Sequence, residues 1–292
     1  MQRQISSAAL ASRFKRLFSR LMHGSRTYTP KQIAQRIELP FSGFNAPQLT
    51  VSWENNLNFQ HLYKLPRHAL SGPVQEDKSQ AHTILNHLIK KETDTQSIID
   101  LRELYGFGEL QLGSESLSSL ERFASSGDCR SVRIISYRDF KKTIEQAIPD
   151  FFTEQPIQLL QASWLGPELF WAGQKCSCEF ACAVVYARLR GLELPKAAHI
   201  NRYMIDRNAV HNIARHYHMP IMPEQAWDDP EFMTALVETG SPYVRLTLSP
   251  TPHPIEVLLL PKHKQLSDTL GTALKLAGAY DASTTLLQLS ST

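Results

Sequence analysis

Three thiols fall within seven residues of this chain, Cys176, Cys178 and Cys182, in the order C-x-C-x3-C. Two chemistries use thiols this close together. Thiolates hold zinc or an iron–sulfur cluster when four ligands converge. A fourth ligand could come from Cys129 or from His199, His211, His216 or His218, and the zinc reading takes Cys176, Cys178, Cys182 and His216. The spacing differs from the paired cysteines of structural zinc modules. The second chemistry is nucleophilic. A cysteine at a helix N-terminus has a lowered pKa, because unpaired backbone N–H groups favour the thiolate. Cys176 and Cys178 follow Lys175 at the start of an expected helix, and His199 or His216 would then be the base of a thiol-dependent hydrolase or transferase.

A third reading needs no chemistry. Cys178 and Cys182 lie four apart on that helix among Phe180, Ala181, Val184 and Val185. Free cysteine packs as a small hydrophobe and is among the most buried residue types. On this reading no cofactor is expected, zinc is the alternative, and the protein acts by binding or interaction more readily than by catalysis. The histidines at 211, 216 and 218 lie beside Arg207 and Arg215 and read as a solvated helix face. No glycine-rich phosphate loop, H-E-x-x-H or G-x-S-x-G sequence occurs.

The elements that must position the thiols surround them. Ile157–Ser163 and Leu169–Ala172 predict a hairpin over residues 157–172, turning at Leu165-Gly166-Pro167-Glu168. A helix follows from about Cys178 to Arg190, stopped by Gly191 and then Pro195. His199–Ile205 predicts a strand, and Asp206 caps a helix with Val210, Ile213, Ala214 and Tyr217 facing inward. Asp229-Pro230-Glu231 opens another helix, ending at Gly240. A second hairpin covers residues 243–260, and leucines at 270, 274, 286, 287 and 289 mark two closing helices. Upstream, Gln48–Trp53 alternates as a strand, and Ala81–Ile89 marks a helix ending at Lys90 and Lys91. Ile98–Tyr105 leans helical, and Ser118 with Glu121 has capping-box spacing for a helix through Ala124. Val132–Ser136 is a β-branched strand candidate, and Tyr137–Ala147 a helix. Hairpins without a regular βαβ repeat make the fold class α+β, a mixed and mostly antiparallel sheet with packed helices.

Charge divides the chain unevenly. Residues 1–37 carry eight Lys or Arg and no acid, which leaves 23 basic against 28 acidic residues in the remainder. A body of net charge −5 is a poor nucleic-acid surface. Leu10, Phe14, Leu17, Phe18 and Leu21 with interleaved arginines predict a basic amphipathic helix. Through residues 5–22 it would dock on an unidentified protein partner or an anionic membrane surface, or serve as a targeting segment. The expected organisation is therefore an N-terminal helix and linker (1–37) and a single α+β domain (38–292), with a sub-boundary near residue 150. Thiols without a disulfide framework indicate a cytoplasmic setting, with peripheral membrane attachment as an addition. No apolar run is long enough to span a bilayer, and no secretory cleavage pattern follows the N-terminal segment.

One resemblance rests on Phe170-Trp171-Ala172-Gly173, the helix opening near Glu179-Phe180-Ala181, Gly191 and Pro195. Residues 157–280 resemble an uncharacterised bacterial protein family of unknown function. In that family the turn before Phe-Ala is rich in histidine, whereas cysteines and Glu179 occupy it here, so no histidine role carries over. The resemblance implies a bacterial protein and no activity.

Overall fold

The computed structural model describes residues 29–108, 117–173, 175–230, 232–233, 236, 241–250 and 254–290. The basic helix expected at residues 5–22 lies outside them. The chain forms two compact units. The first comprises described residues 29–45 with 61–88 and 206–290, and the second comprises 46–60 with 89–205.

The strands in chain order are β1 (Ile89–Asp100), β2 (Leu104–Phe107), β3 (Ile157–Ala162), β4 (Leu169–Trp171) and β5 (Pro195–Ile205). They continue as β6 (Tyr217–His218), β7 (Ile221–Met222), β8 (Val244–Ser249) and β9 (Ile255–Pro261). The longer helices are α1 (Gln75–Leu85), α2 (Tyr137–Ala147), α3 (Ser177–Arg190), α4 (Arg207–His216), α5 (Gln265–Leu276) and α6 (Ala282–Leu289).

The second unit is built on a five-stranded mixed sheet in the order β1-β5-β3-β4-β2. β1 and β5 pair antiparallel, β5 and β3 parallel, β3 and β4 antiparallel, and β4 and β2 parallel. β1 is an edge strand with a bulge between Asp94 and Ser97. Among the described residues, the ladder continues beyond β2 as a bridge from Ser52 to Phe107. A Cβ at Gly106 would stand 2.0 Å from the Val51 carbonyl oxygen, so this approach requires glycine.

The β3–β4 hairpin forms as expected, pairing Leu159 with Trp171 and Leu160 with Phe170. Its loop turns through a short 3-10 segment into Gly166, at φ 86°. α3 then packs on the sheet, with the rings of Trp171 and Phe180 stacked at 4.8 Å. Near its C-terminus Arg188 donates to the carbonyls of Arg102 (2.9 Å) and Leu104 (2.7 Å), fixing the helix to the segment between β1 and β2. Gly191 ends it in the left-handed conformation that glycine adopts without a steric penalty. Phe107, Phe123, Phe140, Leu159, Phe180 and Ile200 form the centre of this core.

In the first unit β6, β7 and β8 all pair antiparallel with β9. β8 and β9 are the expected second hairpin, and β9 is buried from Glu256 onward. Leu258 and Leu260 meet Leu270 and Leu274 of α5. Within the stretch expected to be a linker, Pro30–Ala34 is a short helix that places Ile33 in the same core. Asp206 caps α4 as expected, accepting the N–H groups of Asn208 and Ala209. Asp229 accepts the Phe232 N–H at 2.9 Å.

Several local expectations differ from the structure: Gln48–Trp53 forms no strand and meets the sheet through the Ser52 bridge, and Ser119 rather than Ser118 caps the helix Leu120–Ala124. α1 ends at Leu85, and Ile89, Lys90 and Lys91 begin β1 instead of extending the helix. Ile98–Tyr105 is strand, 3-10 turn and strand, because β1 finds its partner in β5 about a hundred residues away. Val132–Ser136 forms no strand, having no ladder partner among the described residues. The whole is α+β. Among the described residues no helix is long and apolar enough to cross a membrane.

Candidate functional site

The structure separates the sequence-derived site residues. Cys176 is the N-cap of α3 and stands at φ 57°, a conformation uncommon for a side chain with a Cβ. Cys178 is buried on the first turn of α3, and Cys182 is half-buried one turn further on. The thiol that joins them is Cys129, buried at the end of the 3-10 turn Gly127–Cys129. Cys129 and Cys178 share one buried core, against which Cys182 packs. The contact with Cys182 raises the Cys129 pKa, and burial raises it further. The same contact lowers that of Cys182, against burial and the Glu179 carboxylate. Burial pushes the Cys178 thiol up.

Neither proposed base is drawn to a cysteine by its hydrogen bonds. His199 lies on β5, and its Nδ1 accepts from Gln158 of β3 at 3.2 Å. His216 belongs to the other unit, where its Nδ1 donates to the Asn212 carbonyl at 2.8 Å. His218, also in that unit, sits 2.7 Å from an Asp268 carboxylate oxygen. Among the described residues no group of three or more His, Cys, Asp or Glu side chains is arranged to hold a metal ion.

A different site lies at the start of β5. Register pairs Asp100 with Pro195 and Ile99 with Lys196. Asp100 locks this corner, accepting from Arg102 N (2.8 Å), Arg102 Nε (2.9 Å) and Leu194 N (3.1 Å). Burial raises the Asp100 carboxyl pKa, but the Arg102 bonds outweigh it and the net shift is downward. Opposite lies the loop after α2, where Asp150 stands at φ 61°. Thr153 folds back on it, donating through N (3.0 Å) and Oγ1 (2.8 Å) to the Asp150 carbonyl.

Lys196 spans the two. Its Nζ donates to Thr153 O at 2.6 Å and reaches Asp150 O at 3.5 Å. The side chain is buried, with Lys196 only 5% exposed. The ammonium lies 5.5 Å from the Phe151 ring centroid, and Phe151 meets Phe152 edge-on at 5.1 Å. Lys141 of α2 stands over the Phe152 ring at 4.9 Å. Residues 151–154 and 194–197 line an open pocket of about 350 Å³. Burial pushes the Lys196 pKa down, and the Asp150 carboxylate pulls the other way.

Sequence reasoning passed over this lysine, although a signal was there. Along β5 the buried positions alternate as Lys196, Ala198 and Ile200, so the lysine is in phase with the apolar face. A lysine on that face has to bury its stem and find carbonyl partners for its head.

A family model described as a family of unknown function (DUF6685) matches residues 94–292, more than half of the chain. The chain belongs to that family, and the resemblance expected over residues 157–280 falls inside the matched span. No curated protein and no solved structure matches it.

Proposed function

We propose that this family member acts by binding, and that its recognition site is the Lys196 cavity. The ligand is a small molecule with a carboxylate at one end and an apolar body. The observation that carries the reading is the lysine itself, a 5%-exposed cation at the wall of a cavity of about 350 Å³. Desolvation disfavours the charged ammonium, and an ionised partner works against that cost. Two carbonyl oxygens and the nearby Asp150 carboxylate stabilise the charge, and an arriving carboxylate would add a direct ionic partner. Phe151 and Phe152 supply the apolar contact, and the cavity falls in the size range of small-ligand sites. Binding is supported over thiol catalysis because, among the described residues, the hydrogen bonds of His199 and His216 go to Gln158 and Asn212 and not to a cysteine, whereas the lysine lines a space a ligand can enter.

Calorimetric titration of the full chain with octanoate and with octanamide tests this. Saturable octanoate binding, absent for octanamide and lost in Lys196→Met, supports it. Equal binding of the two probes, or no binding of octanoate at millimolar concentration, sinks it. Phe152→Ala guards against a lysine variant that fails to fold. Phe152 is 39% exposed, so its removal spares the core while weakening octanoate binding.

A further inference from the structure

We propose that an exposed face of the second unit, formed by residues 130–142 and the last turn of α3, docks on an anionic membrane surface. Charge is the first observation. Residues 130–142 hold Arg130, Arg133, Arg138, Lys141 and Lys142 against one acid, Asp139. All five cations are exposed. The Asp139 carboxylate is engaged at its own helix start, accepting from the N–H groups of Ile135 and Ser136 and from the Ser136 hydroxyl. Among the described residues none of the five cations belongs to an ion pair. A body of net charge −5 thus carries a concentrated basic stretch.

Exposed apolar side chains stand among these cations. Val132 and Ile134 pack against the core, while Arg133 and Ile135 between and after them are exposed. Ile135 is 81% exposed, Tyr137 50% and Leu189 79%. A stack of side chains ties the start of α2 to the end of α3. The Tyr137 ring lies 5.7 Å from that of Phe140, and Phe140 lies 5.6 Å from Tyr186. The Arg190 guanidinium then stands 5.7 Å from the Tyr186 ring centroid. Leu189 follows Tyr186 by three residues and lies on the same side of α3.

Aliphatic and tyrosine tips surrounded by cations fit an anionic lipid surface. The apolar tips enter the headgroup region and the cations meet the lipid charge. Single-stranded nucleic acid fits less well, because it needs open aromatic faces. Phe140 and Arg190 already stand against the rings of Tyr137 and Tyr186. A second copy of this face would meet like charge. Residues 1–37, with eight basic residues and no acid, carry the same sign and do not complement it. The proposal does not rest on the Lys196 pocket.

Co-sedimentation of the full chain with vesicles tests the face. The chain is expected to partition onto vesicles of phosphatidylcholine and phosphatidylserine in equal parts, and not onto phosphatidylcholine alone. Arg138→Glu with Lys142→Glu is expected to lower that partition about tenfold or more. Ile135→Ser with Leu189→Ser should lower it comparably with net charge unchanged. Lys264→Glu with Lys275→Glu, two exposed positions in the other unit, makes the same change in net charge and should leave partition within about twofold. All substituted side chains are exposed, and circular dichroism checks that each variant is folded. The proposal is overturned if the two charge-reversal pairs weaken binding equally, or if neither pair on the face weakens it. It is also overturned if the wild type does not bind the anionic vesicles. Self-association lost in the Ile135→Ser pair would in that case make the occupant a second copy.

Discussion

Two lysines, one in each unit, donate to backbone carbonyls left over by the local fold. Lys262 follows β9 and its Nζ donates to Ala214 O in the last turn of α4, while its own N–H is taken by His216 O at 2.8 Å. A cation at a helix C-terminus is favoured by the helix dipole, and this side chain remains part-exposed. Lys196 donates to Thr153 O and Asp150 O in much the same manner. The bonding matches, but the surroundings do not. Lys196 is buried, its pKa is pushed down by that burial, and it faces aromatic rings across open volume. Carbonyl capping accounts fully for Lys262. It leaves the cavity beside Lys196 unexplained, so it is the unfilled space, more than the lysine, that distinguishes a site from a brace.

Substituting the two lysines in parallel breaks or sustains this contrast most directly. Lys196→Met leaves Thr153 O without its partner, and chemical denaturation is expected to show a loss of about 1–3 kcal/mol. Lys262→Met is expected to cost less, about 0.5–1 kcal/mol, since water can replace the lysine at a part-exposed helix end. A larger loss at Lys262 would end the distinction.

Next in size is Asp100→Asn, which weakens the corner that holds Leu194 against β1 and is expected to cost about 1–2 kcal/mol. Because the folded Asp100 pKa is depressed, its contribution is present above the ordinary carboxylate range and fades as pH falls through the folded value. The variant's acid-side stability curve should be flatter than the wild type's by that contribution.

A smaller effect separates the lysines by pH. With the folded pKa of Lys196 lowered, the unfolded chain keeps its proton to higher pH. Stability attributable to this group therefore rises between the folded and unfolded values, while octanoate binding falls over the same alkaline window. Lys196→Met should lose both trends, and Lys262→Met should keep them. The smallest change in stability is expected for Phe152→Ala, about 1 kcal/mol or less for a partly exposed ring, with octanoate affinity the more sensitive readout.

Much of the fold was legible where signals are local. Gly191 after α3, Asp206 before α4 and the Gly- and Pro-marked turns of both hairpins each fix an element through its own neighbours. What escaped were elements whose state depends on distant partners. Ile98 reads as helix or strand until β5 is alongside, and Val132–Ser136 has strand-forming side chains with nothing to pair. The thiols show the same limit. Cys176, Cys178 and Cys182 stand out by spacing, yet the core they pack on also takes in Cys129, from a turn about fifty residues earlier. Lys196 was visible only as strand phase, since the sequence does not show that the loop after α2 folds back over it.

β1 runs for twelve residues along the border of its sheet, and Ile98 on it is 74% exposed. A straight border of that length is a template on which another molecule's strand can add, the first step toward aggregation. Lys90, Lys91 and Glu92 charge one end of it, and the bulge between Asp94 and Ser97 breaks its repeat in the middle. Neither half then offers an unbroken row of donors and acceptors. The irregularity that locally weakens the β1–β5 ladder thus opposes the addition of a further strand at this border.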